Sequence, residues 1–313
     1  MVTSVELTMG DSLETGLQQV RTVLQPLRLP AGTRVFGQGE AGDRLLLITA
    51  GQARSSLRLP NGSEQTLSVS GPGDLVGEIA LLTGARRAAT VTAVTPLLGW
   101  TLDRHAFDML RWDPREAAIA VVQRLVALTT ARLRAHCTQI GGPAADRGDA
   151  SFRPGSIRHD APMPTIDYLA SLLCFAGFPQ VEDVEAAVRH VPVHAAQRGD
   201  VLIEKGAQPP SLLLVARGAV EVMVTRGAAT HRVRLAGPGR FVGHNGILDD
   251  EPSPVVARCR ERSVLLAFPR TTVKAILTDS ARSSRAFSAA VLEDTARAVR
   301  QASRPVITTT ARV

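Results

Sequence analysis

The chain has 313 residues, of which 44% are apolar and 21% charged, enough for two domains of ordinary size with buried cores. No run approaches 18 uninterrupted apolar residues, which argues against a membrane-spanning helix. The formal net charge of +7 invites a nucleic-acid partner, but 34 of the 36 basic residues are arginine, a bias that suggests codon usage rather than ligand choice.

In chain order, the opening MVTSVELTMGDSLE lacks a basic start followed by an apolar run, so no secretory signal is expected and a cytoplasmic location is. The first regular segments are short apolar runs broken by glycine: LLLIT, ARSSLRL, QTLSVS, ATVTAV and LLGWTL, with Pro60-Asn61-Gly62 as a turn. Such runs predict β-strands of a barrel or double-sheet jelly roll. Residues 114–136 follow with apolar residues at helical spacing on two stripes, Ile119, Val122, Val126 and Leu133, and Val121, Leu125 and Leu128. A helix apolar on two faces packs against two partners. Residues 141–164 are rich in Gly, Pro, Ala and charge without periodicity and read as a linker.

The pattern then repeats. Gly32, Gly39 and Gly51 match Gly199, Gly206 and Gly218 at an offset of 167, and GPGDLVGEIALL (71–82) matches GPGRFVGHNGIL (237–248) at 166. One residue is therefore lost between them, where a hairpin tip is expected. The expected fold is mainly β with flanking helices: two tandem jelly-roll β-barrels, each followed by helices. The expected domains are 1–137, a linker 138–164, 165–280, and a C-terminal basic helix and tail at 281–313. Residues 252–313 hold 11 Lys+Arg against 4 Asp+Glu, which equals the whole net charge.

Residues 77–91, GEIALLTGARRAATV, carry the chemistry. Gly77 permits close backbone approach. Glu78 can accept hydrogen bonds from sugar hydroxyls. Arg87 is a planar donor suited to a phosphate, and Ala88 and Ala89 are small enough for backbone amides to face an anion. The plainer alternative is a Glu78–Arg87 ion pair with no ligand at all.

This stretch resembles the phosphate-binding cassette of the cyclic-nucleotide-binding domain family, at Gly77, Glu78, Ile79, Ala80, Leu81, Arg87, Ala88, Ala89 and Thr90. The resemblance implies binding of cAMP, or of cGMP, by Gly77, Glu78, Ile79, Ala80, Arg87, Ala88 and Ala89. It pairs Arg87 with the cyclic phosphate and Glu78 with the ribose 2′-hydroxyl. Ala88 has no hydroxyl, which favours cAMP. The resemblance further implies that ligand draws the 114–136 helix over the base. The second repeat departs from the pattern: His244 stands at the Glu78 position and Ser253 at the Arg87 position. Asp249, Asp250 and Glu251 are expected to repel a phosphate; His244 could bond a ribose hydroxyl, but a polar surface residue is the commoner reading of a lone histidine.

The expected function is a non-enzymatic cyclic-nucleotide sensor, with ligand in the first domain and the second serving docking or dimerisation. No catalytic or metal-ligating residues and no cofactor are expected; a homodimer and an unknown effector protein are the expected partners. Sequence-specific DNA binding is disfavoured, because ASLLCFAGFPQVEDV (170–184) puts Leu173 and Asp183 where a helix-turn-helix needs a small and an apolar residue. A transcription regulator resembling the catabolite activator protein and a ligand-free docking scaffold are the alternatives. Cys137, Cys174 and Cys259, odd in number and far apart, fit reduced thiols better than disulfides or a metal site.

Overall fold

The computed structural model describes residues 24–59, 61–142, 161–226 and 229–310. Pro60 and most of the 138–164 segment lie outside them. The chain divides into two compact units, Met1–Val122 and Gln123–Val313.

In the first unit, β1 (Gln25–Leu29), β8 (Leu97–Asp103), β3 (Arg44–Ala50) and β6 (Leu75–Val76) form one antiparallel sheet in that order. The other runs β2 (Arg34–Phe36), β7 (Thr90–Ala93), β4 (Ala53–Arg58) and β5 (Glu64–Ser70). The sheets face each other, and Phe36, Leu46, Ile48, Ala53, Val76, Val91, Ala93 and Leu97 fill the space between them. Alternation along each strand sends one set of side chains into this core. Three helices follow or interrupt the strands: α1 (Glu78–Thr83), α2 (Arg104–Trp112) and α3 (Glu116–Gly141). The Asp103 carboxylate caps α2 by accepting from the Ala106 amide at 2.7 Å. The α3 helix begins in the first unit and ends in the second; its two apolar stripes were legible, and it runs five residues beyond the expected end.

The second unit repeats the plan. One sheet orders β14 (Arg240–Val242), β11 (Ser211–Arg217), β16 (Ser263–Pro269) and β9 (Val193–Ala196). The other orders β10 (Val201–Ile203), β15 (Val256–Cys259), β12 (Val220–Arg226) and β13 (Ala229–Ala236). These orders are those of the first unit strand for strand. The helices are α4 (Ile166–Ala170), α5 (Val181–Val188), the short turn α6 (His244–Ile247), α7 (Arg270–Thr278) and α8 (Arg282–Thr310). Thus 170–184 is the end of α4, a run of turns and the start of α5. Phe287 and Val291 of α8 enter the core with Phe241 and Phe268, the three rings meeting at 4.7–6.3 Å between centroids. The three cysteines are free and buried, and burial pushes the Cys137 thiol up to about 12 and Cys259 to about 11.

Candidate functional site

The glycine before α1 sets the site. Gly77 has φ +84°, a left-handed conformation that side chains disfavour. A Cβ there would meet Arg87 Nη1 at 2.6 Å and the Phe36 ring at 2.7 Å. Gly77→Ala is therefore expected to cost about 1–2 kcal/mol of stability from backbone conformation alone. It is also expected to displace Arg87 and weaken ligand binding. Thermal unfolding and titration of the variant measure the two effects separately.

Arg87 is 5% exposed. Its Nη1 donates to the Gly77 carbonyl at 2.8 Å, and its Nη2 to the Arg44 carbonyl at 2.7 Å and to Asp43 Oδ1 at 3.1 Å. Its Cζ lies 3.9 Å from the centre of the Phe36 ring. These bonds use three of the five N–H donors that a guanidinium carries. Arg87 Nε is buried and has no hydrogen-bond partner among the described residues. Burial lowers the Arg87 pKa from its ordinary value, against the opposing pull of Asp43. The salt bridge of Arg87 runs to Asp43, whose side chain is 69% exposed and therefore well solvated. A buried cation with only a solvated carboxylate opposite it and donors to spare has the chemistry to receive an anion. Asp43 was not legible beforehand, since it lies 44 residues from Arg87 with no pattern linking them.

Glu78 opens α1 and is 2% exposed; Ile79 is half-buried and Ala80 buried behind it. Ala88 is exposed and Ala89 half-buried at the start of β7. The structure thus brings Gly77 and Arg87 into direct contact and holds Glu78 and Ala80 in the adjoining turn.

The second unit has the same frame with different side chains. Arg87 exchanges backbone bonds with Glu40 and Gly39, each 2.9 Å; Ser253 does so with Ala207 at 2.9 Å and Gly206 at 2.8 Å. Gly243 has φ +100°, like Gly77. Ser253 is fully buried and donates its hydroxyl to the Val255 carbonyl at 3.0 Å. His244 is 4% exposed, not a surface residue, with Nε2 3.1 Å from Asp294 Oδ2. The acids of the turn are likewise not a free repulsive cluster. Asp249 is held by Arg134 at 2.7 and 2.9 Å and by the Gly246 amide at 2.7 Å. Asp250 is held by Arg270 and Lys274 at 2.9 and 2.6 Å. Arg134 and Lys274 both lie on helices, too distant in sequence to be anticipated.

Between β12, β13, the 243–245 turn, α3 and α8 lies a cavity of about 30 Å³. That is room for roughly one or two waters, against about 300–1,000 Å³ for a ligand pocket. Leu133 and Cys137 of α3 and Ala298 and Ala302 of α8 cover it. Most of its other walls have repeat partners in the first unit: Val222 answers to Ser55, Val233 to Leu67, Arg234 to Ser68, His244 to Glu78 and Val255 to Ala89. Val233 is 6% exposed whereas Leu67 is 41% exposed. The corresponding wall of the first unit is therefore uncovered, and Leu67, Ser55 and Ser68 join its candidate lining. Only the repeat register could have pointed to them.

The cyclic nucleotide-binding domain family matches at residues 26–111 and again at 193–280, together more than half the chain. The chain belongs to the cyclic nucleotide-binding domain family. Its two units are tandem domains of that family, each a β-sandwich of two four-stranded sheets with helices. It is 33% identical over 111 residues to the CRP-like cAMP-activated global transcriptional regulator of Mycobacterium tuberculosis, which covers 36% of this chain and 48% of the regulator. It is 36% identical over 126 residues to the acetyltransferase Pat of Mycolicibacterium smegmatis, covering 40% of this chain and 36% of Pat. The chain thus spans less than half the length of either relative. Among solved structures, the regulatory domain of Toxoplasma gondii PKA with cAMP covers 84% of each chain at 20% identity, with a TM-score of 0.32. No helix among the described residues is long and apolar enough to cross a membrane.

Proposed function

We propose that the chain is a non-enzymatic regulatory sensor that binds cAMP in its first domain, through the cassette at 77–91. The observation that carries this reading is Arg87: buried, charged, and with donors left over beside the Gly77–Glu78 turn. In this reading Arg87 takes the cyclic phosphate, Glu78 the ribose hydroxyl, and Leu67 offers an apolar wall to the base. Ala88 gives guanine no side-chain hydroxyl to bond, which favours cAMP over cGMP.

The second domain, in the same reading, is a docking module rather than a second receptor. Its cavity is too small for a nucleotide, and the cassette arginine is replaced by Ser253. The second half of α3 supports an output through this domain. Arg134 holds Asp249 and donates to the carbonyls of Pro252 at 2.8 Å and Glu251 at 3.2 Å. A ligand that favours a different placement of α3 would change those bonds, and only such differential affinity can drive the shift. The location is proposed to be cytoplasmic, with a twin subunit or another protein as effector.

Isothermal titration of the full chain with cAMP, and separately with cGMP, tests the proposal. A single cAMP per chain, bound more tightly than cGMP, is the expected result. Two cAMP per chain would refute the closed second domain; no binding would refute the sensor and leave a docking scaffold.

A further inference from the structure

In the second domain the anion chemistry has moved rather than vanished. The guanidinium beside the cavity is Arg234 on β13, at the repeat position of Ser68, and it is 6% exposed. Its Nη2 lies 2.8 Å from both carboxylate oxygens of Asp294, on α8. Asp294 Oδ2 also accepts from the Phe241 amide at 2.9 Å and lies 3.1 Å from His244 Nε2. Arg240 Nη1 approaches Oδ1 at 3.5 Å. Two guanidinium groups, an imidazole and a backbone N–H converge on one carboxylate that is itself 2% exposed.

An ordinary core salt bridge needs one cation for one anion. Here two guanidinium groups face one carboxylate, and Arg234, which lines the cavity, has an Nε without a hydrogen-bond partner among the described residues. The seat is also placed where a ligand would sit, because His244 holds the position that Glu78 holds in the first domain. The carboxylate enters from a helix that buries Val291, Leu292 and Ala296 beside it, together with the hydroxyl-bearing Ser288 and Thr295. A carboxylate buried there is costly unless the site opposite is built to receive it.

We propose that the second domain holds an anion seat rebuilt on β13, and that Asp294 is its built-in occupant, a carboxylate standing in for a diffusible one and latching α8 over the cavity. This goes beyond the proposed sensor function and does not depend on ligand binding in the first domain. The class of diffusible ligand that the seat would take is a small carboxylate.

The test removes the occupant and offers a replacement. The full chain carrying Asp294→Ala is melted in formate or acetate, with chloride at matched ionic strength as the control. Above half-saturation, the variant's Tm is expected to rise by roughly 3–5 °C for each tenfold increase in formate, while the parent responds as it does to chloride. The double variant Arg234→Met/Asp294→Ala, lacking the seat's main donor, is expected not to respond to formate. An equal response to chloride, no response in the folded single variant, or an undiminished response in the double variant overturns the proposal. If Asp294→Ala does not accumulate folded, refolding from urea reads the same seat: recovery in formate but not chloride supports it, and no recovery in either overturns it.

Discussion

Replacing Arg87 with alanine is expected to weaken cAMP binding by roughly 30- to 1000-fold, about 2–4 kcal/mol. The size follows from burial. A charge-assisted bond to a phosphate contributes more than a neutral one, and a guanidinium that is 5% exposed makes it out of competition with water. The variant would also leave the phosphate charge without its cation. Part of the loss would arise indirectly, since Arg87 ties the Gly77 and Arg44 carbonyls together across the seat. Arg87→Lys separates the two contributions. Lysine keeps the charge but cannot span both carbonyls and a phosphate, so an intermediate loss is expected. Calorimetric titration of both variants gives the comparison. An Arg87→Ala affinity within threefold of the parent would remove Arg87 from the phosphate seat, wherever the nucleotide binds.

The frame of the molecule was legible because its determinants are local and doubled. Gly51 and Gly218, at φ +84° and +85°, turn β3 into β4 and β11 into β12, and their fixed offset disclosed the repeat. The single-residue change in offset falls at the β4–β5 hairpin and its counterpart β12–β13, as a hairpin tip should. Candidate cassette residues were legible for the same reason, lying within fifteen consecutive positions. What escaped the sequence was long-range pairing. Asp294 lies 60 residues from Arg234 and 53 from Phe241, and Arg134 lies 115 from Asp249. No periodicity marks such pairs. His244 therefore read as a surface residue, and the 249–251 acids as a repulsive cluster, because the Asp294 carboxylate that faces His244 and the cations that hold Asp249 and Asp250 lie far off in sequence. Arg285, within the expected C-terminal basic helix, is likewise buried, at 2% exposed.

The same buried network yields the second large effect. Arg234→Met keeps apolar bulk beside β13 but strands the Asp294 carboxylate, with the Phe241 amide, His244 and the half-buried Arg240 left to satisfy it. Breaking a buried pair from one side costs about 3–5 kcal/mol, whereas replacing both partners by apolar groups is often neutral. Arg234→Met is thus expected to destabilise the second domain by about that amount, and Arg234→Met/Asp294→Leu to recover most of it. Urea unfolding can assign the change, because Trp100 and Trp112 lie in the first unit and Tyr168, the sole tyrosine, in the second. The early transition should appear in circular dichroism and tyrosine emission, not in tryptophan emission. The pH dependence gives an independent check. Burial alone would raise the Asp294 pKa, but Arg234 and His244 hold it well below the usual carboxylate range. The folded parent therefore binds that proton less readily than the unfolded chain. Its stabilisation is complete above about pH 4 and is lost as pH falls below that. Burial also holds the His244 pKa below its ordinary value, so the parent loses stability there too as pH falls below about 6.5. In Arg234→Met both depressions relax, because either His244 or Asp294 can take the proton and quench the stranded charge. The stability gap between parent and variant should then narrow on acidification, first below about pH 6.5 and further below about pH 4. A gap that stays constant from neutral pH to acid would mean that the cost of Arg234→Met lies in packing and not in the carboxylate it leaves behind.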